Sequence, residues 1–342
     1  MATKKLELDE AITLVTSALE KSGAASQNVA STARALIYAE RDGQKGHGLS
    51  RVTSYCSQIV TGKINGAAIP ALKEISASAI SINANYGFAY PAIDLAIDEL
   101  IKRSKKEAVC LATIAHSHHF GQAGAHVERL AEQGLIALAF SNSPAGIAFW
   151  GSPKPAMGTN PIAFASPLPG QEPLVIDLAV SVAARGKIVN AQKNGASIPL
   201  DWALDGQGNP TSNPDEALKG SMTPMGGAKG AALAMMIEIL TAGLTGSHFG
   251  FEASSFFEAE GDAPNIAHTM IAINPTAISG DLFMQRMAVL IDAIDDAEHA
   301  RLPGISRLKH RQDAARSGIE IPESLYKEIL NLIKTNNEQN NG

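Results

Sequence analysis

The sequence predicts a mixed α/β (α+β) protein that is not of the Rossmann type: a helical domain built from both chain ends, with an inserted two-layer α/β domain. Three observations carry this. Residues 9–61 have helical periodicity, short β-like runs alternate with helices after Pro70, and residues 307–333 are helical again. In addition, no Gly-x-Gly-x-x-Gly follows a strand, and no Gly-x4-Gly-Lys-Ser/Thr occurs. A chain of 342 residues is long enough for two domains. The boundaries read as 1–72 (helical, first part), 73–275 (α/β) and 276–342 (helical, packing back on the first).

Taken in order, Asp9 reads as the cap of a helix running to about residue 20, with Ile12, Val15 and Leu19 on one face. Ser26 reads as the cap of the next, which buries Val29, Ala33, Leu36 and Ile37. Gly23 and Gly43 end these helices, and a third over 51–60 closes at Gly62. Residues 79–82 form a strand, 91–103 an amphipathic helix, 109–114 a buried strand, and 124–133 a helix ended by Gly134. Strands follow at 135–140, 162–165 and 174–178, and a helix at 229–240. A last strand is expected at 270–273, then a helix at 282–294. The polar residues 336–342 are expected to fray.

Composition narrows the function classes. With 45% hydrophobic and 18% charged residues, the chain is a packed globular protein. Net charge is -6 and the densest basic run, Lys102-Arg103-Ser104-Lys105-Lys106, is short, which argues against nucleic acid as a partner. Cys56 and Cys110 lie in apolar periodic surroundings and read as buried thiols in a reducing, cytoplasmic compartment. Glu7 precedes any apolar run, so no signal peptide is expected. The most apolar helix, near residues 231–240, carries Glu238 and falls short of the ~20 residues that span a bilayer.

Five segments offer chemistry. In Gly46-His47-Gly48-Leu49-Ser50-Arg51, glycines leave His47 unshielded for proton exchange, and Arg51 can fork onto a carboxylate. The same segment also reads as a loop whose Arg51 pairs with Glu40 or Asp42. His116-Ser117-His118-His119-Phe120-Gly121 follows a buried strand, where α/β proteins place ligands. A general acid/base histidine fits better than a metal site, because no carboxylate or cysteine stands at ligand spacing. One or two of the three histidines also read as plain loop residues. Gly158-Thr159-Asn160-Pro161 is a turn whose polar side chains can orient a ligand. Gly226-Gly227-Ala228-Lys229-Gly230 opens a helix and suits an anion or simply close packing. Arg301-Leu302-Pro303-Gly304-Ile305-Ser306-Arg307 can clamp phosphates or form a basic surface loop.

In this order, from about Leu8 to Leu330, the motifs resemble the non-Rossmann malate/L-lactate dehydrogenase family, which includes 2-hydroxyacid dehydrogenases (malate, sulfolactate, ureidoglycolate) and Δ1-piperideine-2-carboxylate/Δ1-pyrroline-2-carboxylate reductases. The resemblance implies an NAD(P)-dependent oxidoreductase using NADH or NADPH, a homodimer, and a small carboxylate substrate. It implies that His47 and His119 exchange protons and that Arg51, Thr159 and Arg185 bind substrate. It places the cofactor against His119, Phe120, Gly121, Gln122, Ala123, Ser143, Asp177, Leu178, Ala179, Lys229, Gly230, Arg301, Leu302, Pro303, Gly304 and Arg307, with no metal. Two positions depart from the pattern. Gly46 stands where the family usually has Ser, and Lys187 follows Arg185-Gly186 where some imine reductases have Asp. These departures speak against a cyclic imino acid, whereas Ala242-Gly243-Leu244-Thr245-Gly246 and the Arg301-Leu302-Pro303-Gly304 loop resemble the imine reductases. Both substrate classes stay open, with a 2-hydroxy/2-oxo acid as the first reading. A binding protein that kept the fold, and a zinc hydrolase, are the rival classes.

Overall fold

The computed structural model describes residues 2–339. Strand β1 (Thr3–Leu6) leads into α1 (Leu8–Lys21), α2 (Ser26–Arg41), two 3-10 turns (Lys45–His47 and Leu49–Arg51) and α3 (Val52–Val60). The hairpin β2 (Ala71–Ser76) and β3 (Ala79–Asn83) is followed by α4 (Ala89–Arg103), β4 (Val109–Ser117), α5 (Ala123–Ala131) and β5 (Ile136–Ser141). Next come β6 (Ile147–Ala148), β7 (Pro155–Met157), β8 (Ile162–Leu168), β9 (Gln171–Leu178), α6 (Arg185–Lys193), β10 (Ala203–Leu204), α7 (Pro214–Lys219) and β11 (Ser221–Met222). Helix α8 (Ala228–Glu238) continues as a π-helical turn, Ile239–Gly243. The chain closes with β12 (Ile266–Ile273), α9 (Pro275–Ser279), α10 (Leu282–Asp295), α11 (Ile305–Ser317), β13 (Ile319–Pro322) and α12 (Glu323–Gln339).

Seven strands form the main sheet in the order β2-β3-β4-β12-β5-β8-β9. Only β3 and β4 pair in parallel, across the α4 crossover; the other pairs are antiparallel. The late strand β12 is wedged between β4 and β5, so it is the centre of the sheet and not the last strand, since β13 follows it. Both of its pairings are antiparallel, unlike the parallel sheet of a Rossmann fold.

Strand alternation fixes the faces. Cys110, Ala112 and Ile114 of β4, with Ala137, Ala139, Ala163, Ala165, Met270 and Ala272, face α4 and α5. Alanine dominates this layer, so the helices approach closely. On the other face Leu138, Ile162 and Ile271 meet a cluster containing Ala231, Ala234 and Ile237 of α8. A separate cluster joins both chain ends: Leu14, Val15, Leu19, Leu36 and Tyr55 pack with Ala314, Ile319, Ile321 and Ile329. In the same region β1 pairs with β13.

Several local expectations need correcting. Glu7, not Asp9, occupies the cap position of α1; Asp9 lies in the first turn, where its charge faces the positive helix end. Ala25 takes the cap position of α2, so Ser26 is its first residue. The predicted C-terminal helix is broken by Gly318 (φ 71°) and β13, because residues 319–322 are drawn into pairing with β1. Exposed β2 escaped notice because an edge strand alternating around Lys73 and Glu74 carries no buried face. Of the tail expected to fray, residues 336–339 belong to α12 and residues 340–342 lie outside the described residues. Among the described residues no helix is long and apolar enough to cross a membrane. Both cysteines are free and buried.

A buried ion network fastens the C-terminal segment to α2 and α5. Arg307 Nη1 lies 2.6 Å from Glu128 Oε1, and Arg311 Nη2 lies 2.8 Å from both Glu128 Oε2 and Asp42 Oδ2. Burial alone would raise the Asp42 carboxyl, but hydrogen bonds from Arg311 and Arg41 outweigh it and hold it below the ordinary range. Glu128→Ala would leave Arg307, which is 7% exposed, without its closest carboxylate. The expected loss is about 3–5 kcal/mol of unfolding free energy, read from urea denaturation at neutral pH. An unchanged midpoint would show the network to be dispensable.

Candidate active site

The site starts at a defect in the central pairing. Between Ile114 and Ser117, β4 slips register against β12, and His116 adopts φ 51°. A bulge of this kind re-aims the chain beyond it. The three histidines therefore diverge. The His116 Nδ1 meets Asn83, His118 packs against Tyr55 and Phe256, and His119 turns toward the helical layer. Gly121 (φ 74°) lets the next residues lie on Tyr90, since a Cβ there would come within 2.7 Å of the Tyr90 hydroxyl.

Against His119 stands the His47–Arg51 segment. The buried Glu40 carboxylate accepts the Leu49 backbone N–H at 3.0 Å and leaves no room for a side chain at Gly48. That fixes the two 3-10 turns and presents His47 to His119. Their rings stack 5.1 Å apart, with His47 Nδ1 3.0 Å from His119 Nε2. His119 Nδ1 lies 2.6 Å from the Tyr55 hydroxyl, which lies 3.0 Å from that of Tyr90. Burial, then the neighbouring Arg51 charge, holds His47 down at about 4 and His119 well below the ordinary value. Both rings are neutral at pH 7 and suited to passing a proton without holding it.

Arg51 is not paired with Glu40 or Asp42. Its Nε donates to Gly46 O at 2.7 Å, its guanidinium lies over the Phe257 ring, and its Nη1 is buried with no acceptor. Phe256 and Phe257 belong to a loop roofing the pair. Lys63 Nζ donates to the carbonyls of Ser255, Glu258 and Glu260, and Gln58 Nε2 to those of Phe256 and Glu258.

The remaining expected residues fall into linked groups. Asp177 caps the α5 entry by accepting from Gly124 N–H at 2.7 Å. Ser143 Oγ accepts from Thr159 N–H, and the Thr159 carbonyl accepts from Val180 N–H beside Leu178 and Ala179. Val180 O in turn accepts from Met225 N–H at the approach to Lys229. Gly304 lies on β9, where a Cβ would meet Val175 O at 2.9 Å, and carries exposed Arg301 and Pro303 and half-buried Leu302 with it.

Some of the expected residues are engaged within the protein itself. Phe120 is buried and stacks on His268, and buried Gln122 donates its Nε2–H to Asp42 while its Oε1 has no partner. Arg307 is not a free phosphate clamp, because Glu128 holds it. Gly230 has a packing reason: a Cβ would collide with Met225 O. Arg185 opens α6, half-buried, with no acidic partner among the described residues.

Residues 6–330 match the family described as malate/L-lactate dehydrogenase. The chain belongs to this family. It is 48% identical to (2R)-3-sulfolactate dehydrogenase (NADP(+)) of Chromohalobacter salexigens, over 96% of this chain and 97% of that protein. It is 34% identical to a Δ1-pyrroline-2-carboxylate/Δ1-piperideine-2-carboxylate reductase of Pseudomonas aeruginosa, over 96% and 99%. The solved Δ1-piperideine-2-carboxylate reductase of Pseudomonas syringae superposes with TM-score 0.91 at 34% identity, over 96% of this chain and 99% of that one. The protein is thus an oxidoreductase of the malate/L-lactate dehydrogenase family.

Within that frame the sequence missed Glu238. Its buried carboxylate accepts from Gly158 N–H, Asn160 Nδ2, Asn142 Nδ2 and Gly250 N–H, all between 3.0 and 3.2 Å. One side chain thereby sets the Gly158-Thr159-Asn160 turn and the approach to Ser143. A carboxylate inside the most apolar helix was the available signal. Tyr55 and Tyr90 were also missed, since an aromatic at helical spacing reads as core.

Proposed function

We propose that the protein is an NAD(P)-dependent oxidoreductase acting at C2 of a small 2-hydroxy/2-oxo acid, with acids of the sulfolactate type as the leading class. The observation that carries this is the buried, acceptor-free Nη1 of Arg51 beside a neutral histidine pair. An unsatisfied buried donor costs about 1–3 kcal/mol, which a substrate carboxylate relieves. The identity to the sulfolactate dehydrogenase supports the substrate class and NADP(H).

The residues present fit a nicotinamide dinucleotide. The α8 N-terminus has no side-chain cap, Gly226 and Gly227 both stand at φ 65°, and exposed Lys229 has no acidic partner among the described residues. Free N–H groups, the helix dipole and a lysine suit phosphates. The N-terminus of α5 is less suited, because Asp177 already occupies it. When bound, the cofactor supplies the hydride. Arg51 holds the carboxylate, and the Phe256 roof keeps water from the histidines. His47 Nε2, the nitrogen of the pair that makes no protein hydrogen bond, exchanges the substrate oxygen's proton.

The division into a helical unit (1–72 with 276–342) and an α/β unit (73–275) is part of this reading, as are a homodimer and a cytoplasmic location. Exposed Leu282, Val289 and Leu290 on α10 support the dimer, which sedimentation tests. Activity is tested by consumption of NADH or NADPH with sulfopyruvate, oxaloacetate, pyruvate and the two cyclic imines. Arg51→Lys is expected to lower kcat/KM by about 10- to 100-fold, since a charge-assisted fork becomes a point contact. Turnover of the imines alone would instead give the cyclic imino acid reductase, the reading favoured by the 34% relatives. A Cβ at Gly46 meets nothing within 4 Å, so Gly46→Ser tests that departure without strain.

A further inference from the structure

Behind the histidine pair the structure holds a continuous file of exchangeable protons. It runs from His47 Nδ1 to His119 Nε2 (3.0 Å), from His119 Nδ1 to the Tyr55 hydroxyl (2.6 Å), and from there to the Tyr90 hydroxyl (3.0 Å). Tyr55 and Tyr90 are both buried. Tyr90 also lines a small cavity, between α2, α4 and α5, whose volume of about 30 Å³ has room for one water. Asp94, Gln122, His126 and Arg129 line it too, so that water would find polar partners. The Asp94 side chain, 24% exposed, is held by Ser31, Arg34 and Arg129 and reaches toward solvent. Nothing in binding or hydride transfer requires a pair of tyrosine hydroxyls in line with the catalytic imidazoles and ending at a polar cavity.

We propose that Tyr55 and Tyr90 form a proton relay that refills the His47–His119 pair from the cavity behind it, while bound substrate closes the front. The inference rests on the oxidoreductase reading above. In the reductive direction, hydride from the reduced nicotinamide forms the new C–H bond at C2. The C=O π pair moves to oxygen, and the oxygen takes the Nε2 proton of His47. His47 regains a proton at Nδ1 from His119 Nε2, His119 regains one at Nδ1 from Tyr55, Tyr55 from Tyr90, and Tyr90 from the cavity. One solvent proton is taken up per hydride. The file is left in the opposite sense, with the His47 proton on Nδ1, which is the state that oxidation runs backwards from. A second reduction follows once the imidazoles and hydroxyls have turned over. Tyr55 and Tyr90 are positioning residues that act through His119.

The test uses Tyr55→Phe and Tyr90→Phe, which remove one hydroxyl each and keep the ring. For a 2-oxo acid that the wild type reduces, both variants are expected to lose about 10- to 100-fold in kcat with KM within about threefold. A proton inventory in H2O/D2O mixtures is expected to be curved for the wild type, where several protons move, and to become linear in Tyr90→Phe. Wild-type kcat and an unchanged curved inventory in both variants would overturn the relay. Loss confined to Tyr55→Phe would also overturn it, leaving Tyr55 only to orient His119. If the wild type turns over nothing, the functional reading fails first. The relay is then read from imidazole 15N shifts of the free protein. His119 is expected to be the Nε2–H tautomer and to lose that preference in Tyr55→Phe. Unchanged shifts would sink it.

Discussion

His47→Ala is expected to lower kcat for 2-oxo acid reduction by about 10²- to 10⁴-fold, the usual contribution of a positioned general acid. Both ring nitrogens of His119 are occupied, by His47 and Tyr55, whereas His47 Nε2 makes no protein hydrogen bond. Removing His47 therefore removes the terminal donor and leaves His119 facing a gap. The α8 entry and Lys229 belong to other elements, so cofactor affinity, measured by fluorescence titration, is expected to stay within about twofold. His119→Ala is the paired measurement. It deprives His47 of its buried neighbour but leaves Nε2 in place, so its loss is expected to be smaller. A His47 variant within tenfold of wild type, beside a His119 variant that is dead, would reverse the assignment.

The stability of the fold is expected to fall steeply as the pH drops from neutrality. His118 and His268 are held down at about 3, His47 and His126 at about 4, and His119 well below the ordinary value. In every case burial is the main cause, and the Arg51 charge adds to it at His47, His118 and His119. An unfolded histidine titrates near 6.5. Below that pH the unfolded chain binds protons that the folded chain refuses. The stability these groups confer is therefore complete above about pH 6.5 and is lost as the pH falls toward the folded values. Each contributes about 1.4 kcal/mol per pH unit, so the five together reach about 7 kcal/mol per pH unit at the steepest. Glu40 and Glu238, whose carboxyls burial raises, take up protons in the folded chain first and so moderate the fall just above the ordinary carboxylate range. Since a domain has about 5–15 kcal/mol in total, acid unfolding is expected between about pH 4 and 6. Urea midpoints at several pH values check this, and His126→Gln should flatten the slope by about a fifth. A midpoint that stays flat from pH 7 to 5 would disprove it.

The candidate site was legible where a motif fixes its own geometry. Gly46-His47-Gly48 with Arg51 announced an unshielded imidazole and a nearby guanidinium, and the structure places Arg51 with a buried donor to spare. The glycines before Lys229 announced an uncapped helix entry, and both stand at positive φ. It was not legible where the partner is distant in sequence. Nothing at Arg307 tells that Glu128, 179 residues earlier, will hold it. Nothing at Glu238 tells that Asn142 and Asn160 will converge on its carboxylate.

The sequence by itself determined the helical–α/β–helical order, the absence of a Rossmann site and the residue types available for proton exchange, because periodicity and glycine placement are local properties. Tertiary structure alone decided the wedging of β12 between β4 and β5, the bulge that turns His119 onto His47, and the hydroxyl file behind them. These depend on pairings between segments 35 to more than 150 residues apart, and their energies come from burial and hydrogen-bond geometry that exist only once the layers meet.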